Sequence, residues 1–114
     1  MMYKSEEEFL KDYNPNNYER ISLTTDILIL SISDEEVANY RKSSKKYMSV
    51  LLVKRDDYPF KDKWCLPGGF LKMDENLDDC PRRILKQETN LSNIYLEQLY
   101  TMGGVNRDPR CRVV

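Results

Sequence analysis

Apolar residues follow two different rhythms along this chain. Near the N-terminus, Phe9, Leu10 and Tyr13 recur at helical spacing behind Ser5-Glu6-Glu7-Glu8. That run has the S-x-x-E form of a capping box, and Asn14-Pro15 closes it, so a short helix is expected. Positions 21–32 are rich in apolar and β-branched residues with no helical period, which predicts a strand of mixed or double burial. The polar stretch 33–46 reads as a solvated excursion, and 47–54 as a second, central strand. A charged loop over 55–63 leads to Trp64-Cys65-Leu66-Pro67-Gly68-Gly69-Phe70-Leu71, which has turn punctuation at its centre. With Asn76 as cap, Leu77, Cys80, Ile84, Leu85 and Glu88 trace the faces of a helix running to about Thr89. Asp78 and Asp79 in its first turn and Lys86 in its last suit the helix dipole. Pro81 predicts a shifted start or a distorted first turn, and Asn90 suits a left-handed cap. A third strand is expected over 95–101, a loop through 103–110, and the start of a fourth strand over 111–114.

Composition narrows the class. The 114 residues make one domain's worth of chain. Lys and Arg total 18 against 19 Asp and Glu, a near-balance unlike that of a dedicated nucleic-acid binder. There is no His, which removes His-based zinc sites, Ser-His triads and His general bases. Cys65, Cys80 and Cys111 stand far apart without a CxxC pair, so reduced thiols are expected. No apolar run approaches membrane-spanning length, and the acidic N-terminus lacks a signal-peptide core. The expectation is a soluble cytoplasmic protein with no membrane role.

The chemistry concentrates between Gly69 and Leu91. Gly69 is followed after five residues by Glu75, and after seven more by Arg83. Ile84, Leu85, Lys86, Gln87, Glu88, Thr89, Asn90 and Leu91 come next. This resembles the Nudix box, G-x5-E-x7-R-E-U-x-E-E-x-G-U with U a bulky aliphatic, and Trp64-x-Leu66-Pro67-Gly68-Gly69 resembles the approach to it. The resemblance implies an α/β fold: a Nudix-type α/β/α sandwich with a mixed sheet over 18–114, after an N-terminal helix and lead-in over 1–17. It also implies that the sheet continues past Val114, so the domain is expected to be incomplete at its C-terminus.

Nudix proteins hydrolyse nucleoside diphosphates linked to another moiety, usually with Mg²⁺. A helix gathers carboxylates for such a hard cation when they stand at i, i+3 and i+4. The family pattern places Glu at 84, 87 and 88, whereas this sequence has Ile84, Gln87 and Glu88. Ile84 cannot ligate, and Gln87 offers only a neutral oxygen. Glu88 remains as the anionic metal ligand or catalytic residue, with Gln87 as a weaker donor. Magnesium is therefore the cofactor, if there is one. The family's use of the positions assigns Glu75 and Arg83 a scaffold role, fixing the loop onto the helix. Gly68 and Gly69 are expected to allow positive φ or close backbone approach to a phosphate.

Residues beyond the box supply ligand candidates. Arg55, Arg107 and Arg110 suit phosphate by their forked guanidinium groups, and Tyr58 or Phe60 suits stacking on an adenine. The segments 95–101 and 106–114 are similar to those of ADP-ribose pyrophosphatase-like proteins and of Nudix-related transcriptional regulators of NAD metabolism. In those regulators the Nudix domain binds ADP-ribose or a relative, and a following winged-helix domain binds DNA. Three functions stay open: a nucleotide-sensing domain with weakened or lost hydrolysis, an active Mg²⁺-dependent pyrophosphohydrolase, or a Nudix fold kept only as an interaction scaffold. A homodimer is a further expectation from the family, with DNA as a partner only through a later domain.

Overall fold

The computed structural model describes residues 2–34 and 45–114. Most of the polar stretch expected over 33–46 lies outside them. Helix α1 spans Glu6–Asp12. The Ser5 hydroxyl accepts from the Glu8 N–H, and the Glu8 carboxylate accepts from the Lys4 N–H, closing the capping box one residue further back than its usual form. A 3-10 turn at Pro15–Asn17 leads into the strands, its first N–H held by the Asn14 side chain.

The apolar run expected as one strand divides into β1, Thr24–Asp26, and β2, Leu30–Asp34. The second run divides likewise into β3, Lys46–Val50, and β4, Val53–Lys54. Strands β5, Trp64–Cys65, and β6, Gly68–Phe70, follow. Each pairs antiparallel: β1 with β6, β2 with β3, and β4 with β5. The β1–β6 ladder extends by Leu71 N–H to Leu23 O and Ile27 N–H to Pro67 O. On its other side the chain before β1 bonds in parallel to the C-terminal segment, through Ser22 and Val113. The strand order is thus mixed, with β1 between an antiparallel and a parallel neighbour. The strand expected over 95–101 does not form a ladder with any described strand.

Helix α2, Asp79–Thr89, packs on β1 and β6. Its start lies three residues after Asn76, and Asp78 makes no side-chain cap bond. The late start places Pro81 at the third helical position, where its missing N–H belongs to the helix's unpaired donors anyway. At the other end Asn90 adopts φ 59°, the expected left-handed cap. Ile27, Cys80, Ile84 and Leu85 form the buried core between β1 and α2. The β2–β3 hairpin differs: its cross-strand pairs Leu30/Val50 and Ile32/Met48 make an aliphatic face, and all four side chains are exposed.

Candidate functional site

The Gly69-to-Leu91 segment is closed by one ion pair. Arg83 Nε donates to Glu75 Oε2 at 2.6 Å, and Nη2 donates to Oε1 at 3.0 Å. The same Nη2 reaches the Phe70 carbonyl at 3.0 Å. One guanidinium therefore ties the loop, the end of β6 and the helix together. Hydrogen bonds from Arg83, helped by the Lys72 N–H, hold the Glu75 carboxyl down at about 2.

The three positions where the Nudix pattern has Glu differ in their surroundings. Ile84 is 2% exposed and belongs to the core. Gln87 is exposed, and its Oε1 accepts from Arg83 Nη1 at 3.3 Å. Glu88 is exposed at the edge of a cleft of about 460 Å³. Neither Gly68 nor Gly69 has positive φ. The expectation of left-handed backbone there is corrected, and crowding is what demands glycine. A Cβ on Gly68 would stand 2.0 Å from Asp26 Oδ1 and 2.9 Å from the Thr25 carbonyl. One on Gly69 would stand 3.2 Å from Ile84 Cδ1.

The cleft lies between β1, β6, the end of β4 and the 107–110 loop, and it brings Gly68, Gly69, Arg55, Arg107, Arg110 and Glu88 to one place. Tyr58 and Phe60 are exposed and do not line it. The three arginines are held differently. Arg55 Nε donates to the Pro59 carbonyl at 2.6 Å, a neutral partner. Arg107 stands 3.7 Å from Asp26. Arg110 is bound by both oxygens of Asp108, at 3.0 and 2.8 Å. Those bonds hold the Asp108 carboxyl at about 2, whereas burial pushes Asp26 up against the opposing pull of Arg107.

The donor set does not fit the metal centre that the box implies. Ile84 is in the core, Gln87 is occupied by Arg83, and Glu88 stands as the one carboxylate on that helix face. Among the described residues no three or more His, Cys, Asp or Glu side chains gather closely enough to hold an ion. Magnesium, which takes oxygen ligands in near-octahedral order, has no such cage among the described residues.

Sequence reasoning did not single out Asp26, Lys54, Asp56, Asp57, Phe70 or Asp108, all of which line the cleft. For Asp26 a signal was present: it is the one charged residue in a strand run rich in apolar and β-branched residues. Asp56 and Asp57 follow Arg55 directly and read only as loop charge.

Comparison with known proteins places this arrangement. The NUDIX domain model matches residues 35–114. The ADPR responsive transcriptional repressor NtrR of Acinetobacter baylyi is 36% identical over 110 residues, covering 95% of this chain and 40% of the repressor. The ADP-ribose pyrophosphatase of Methanocaldococcus jannaschii is 36% identical over 70 residues, 61% of this chain and 41% of that enzyme. This chain thus spans about two fifths of the length of these curated relatives. Among solved structures, the NUDIX domain of Shewanella oneidensis NrtR complexed with ADP ribose superposes with TM-score 0.76 at 32% identity, covering 96% of this chain and 65% of that one. A MutT/nudix family protein from Enterococcus faecalis gives TM-score 0.75 at 32% identity, covering 96% of this chain and 40% of that one. Among the described residues no helix is long and apolar enough to cross a membrane.

Proposed function

This chain belongs to the NUDIX family, and from that premise we propose that it binds a nucleoside-diphosphate derivative of the ADP-ribose kind, as the ligand-sensing part of a transcriptional regulator whose hydrolysis is weakened or lost. The observation that carries this reading is the burial of Ile84 in the core, at a position where a hydrolase of the family needs a metal-binding carboxylate. The likeness to an ADP-ribose-responsive repressor and to a domain crystallised with ADP-ribose supports the ligand class. Arg55 is the strongest phosphate candidate, since its side-chain hydrogen bond goes to a neutral carbonyl and leaves its charge for the ligand. Arg107 shares its charge with Asp26 across a half-exposed pair, which a phosphate can displace. Gly68 and Gly69 line the same cleft. Glu75 and Arg83 keep the loop and helix in register behind it.

In this reading the protein works in the cytoplasm, and DNA contact belongs to a region outside 1–114. The exposed aliphatic face of β2–β3 supports a homodimer.

The second reading is a working Mg²⁺-dependent hydrolase. It is favoured by Asp26, Asp56, Asp57 and Glu88 lining one cleft, and by the likeness to an ADP-ribose pyrophosphatase. Incubating the intact protein with ADP-ribose and Mg²⁺ separates the two. The sensing reading expects AMP formation far below about 1 s⁻¹. Turnover at that rate or above, abolished by Glu88→Gln, establishes the hydrolase instead.

A further inference from the structure

Of the three arginines at the cleft, Arg110 is the least suited to a phosphate. Both oxygens of Asp108 take its Nε and Nη2, and Asp108 Oδ1 also accepts the Arg110 backbone N–H at 2.9 Å. Its charge is neutralised where it stands, and a phosphate would have to displace a bidentate carboxylate. The same bonds fix the guanidinium plane. Beneath it lies Phe70 of β6, with the guanidinium carbon 5.0 Å from the ring centroid. Phe70 is itself placed by its pairing with Thr24, and its carbonyl receives Arg83. Both side chains are partly exposed and line the cleft. A flat, charge-neutralised, weakly hydrated plane held at a cleft wall is what an unpaired nucleobase stacks on.

We propose that Arg110, backed by Phe70 and fixed by Asp108, is the platform on which the base of the nucleotide stacks, while Arg55 receives the phosphates. This rests on the nucleotide-binding reading above and divides its site into a base end and a phosphate end. Every base offers a π face, so the platform gives affinity for a nucleoside without choosing strongly among bases.

The test is competition against labelled ADP-ribose on the intact protein, with AMP, ribose 5-phosphate and inorganic pyrophosphate as competitors. Loss of one stacking contact is worth about tenfold in affinity. Arg110→Ala and Arg110→Lys should both weaken ADP-ribose and AMP by about that factor while leaving pyrophosphate within about twofold. Lys keeps the charge and loses the plane, so it separates stacking from phosphate binding. Arg55→Ala should do the reverse and weaken pyrophosphate. Arg110→Ala and Arg110→Lys give up the Asp108 pair and should melt somewhat below the wild type, so thermal melts confirm that each variant is folded at the temperature of the binding assay. If Arg110→Lys binds as the wild type while Arg110→Ala does not, the residue acts by charge and the platform is overturned. If ADP-ribose binds the wild type and both variants equally, the platform alone fails. A wild type that takes up neither ADP-ribose nor AMP overturns the nucleotide reading, and the platform with it.

Discussion

Ile84 lies directly beneath Gly69: a methyl group added to the glycine would stand 3.2 Å from Ile84 Cδ1. The box position that should carry a metal ligand is thus an apolar strut between the helix and the glycine turn. Ile84→Ala should cost about 2–5 kcal/mol, as for other buried aliphatic truncations. Ile84→Glu should lower the unfolding midpoint at least as much in metal-free buffer, because it places a carboxylate among Ile27, Cys80 and Leu85. Urea denaturation of both variants checks this, and an Ile84→Glu protein as stable as the wild type would show that the position opens to the cleft.

The two glycines should differ in tolerance. At Gly68 the obstacles are the Asp26 carboxylate and the Thr25 backbone carbonyl, and backbone cannot step aside. At Gly69 it is the end of a side chain. Gly68→Ala should therefore destabilise by about 1–3 kcal/mol, and Gly69→Ala by less. Equal losses would mean that the Thr25 carbonyl does not crowd Gly68.

The Glu75–Arg83 clamp predicts acid sensitivity with a definite sign. Glu75 sits at about 2 in the fold against an ordinary 4.5, so the folded state binds the proton more weakly than the unfolded chain. Its contribution is complete above the ordinary value and is lost as the pH falls from there towards 2. The melting temperature of the wild type should exceed that of Glu75→Gln at neutral pH, and the gap should narrow through that window. A gap that stays constant down to pH ~2.5 contradicts the assignment.

Asp26 predicts the opposite sign. Burial raises its carboxyl above the ordinary 3.8, so the ionised form costs stability at neutral pH. Asp26→Asn should melt at or above the wild-type temperature at pH 7. Its advantage should shrink as the pH falls through the raised value of Asp26, above the ordinary 3.8, and be gone below 3.8. A clear loss of stability at pH 7 would mean that the Arg107 pair outweighs burial.

Helix α2 was legible because its signals are local. The i, i+3, i+4 spacing, the dipole-matched charges and the Asn90 cap lie within a dozen residues of each other. The Glu75-to-Arg83 spacing likewise pairs residues that one short loop and the first turn of the helix bring together. Strand division was not legible. Residues 21–32 look uniform, yet Thr24–Asp26 pairs with Gly68–Phe70 and Leu30–Asp34 pairs with Lys46–Val50. Which partner a strand takes is decided by distant chain, not by its own pattern. Gly68 and Gly69 taught the same lesson at smaller scale. Their spacing marked them as special, but the reason was a carboxylate and an isoleucine elsewhere in the chain rather than a turn torsion. Asp26 was missed for want of this pairing. Asp26 becomes a site residue only when β1 lies against β6.

The central claim is that the cleft recognises a nucleotide without needing the metal that its box has lost the means to hold. Calorimetric titration of the intact protein with ADP-ribose, once in EDTA and once in excess Mg²⁺, tests it most directly. The account predicts saturable binding in both, with affinities within about threefold and no AMP formed during the titration. Binding that appears only with Mg²⁺, accompanied by steady release of AMP, would contradict it.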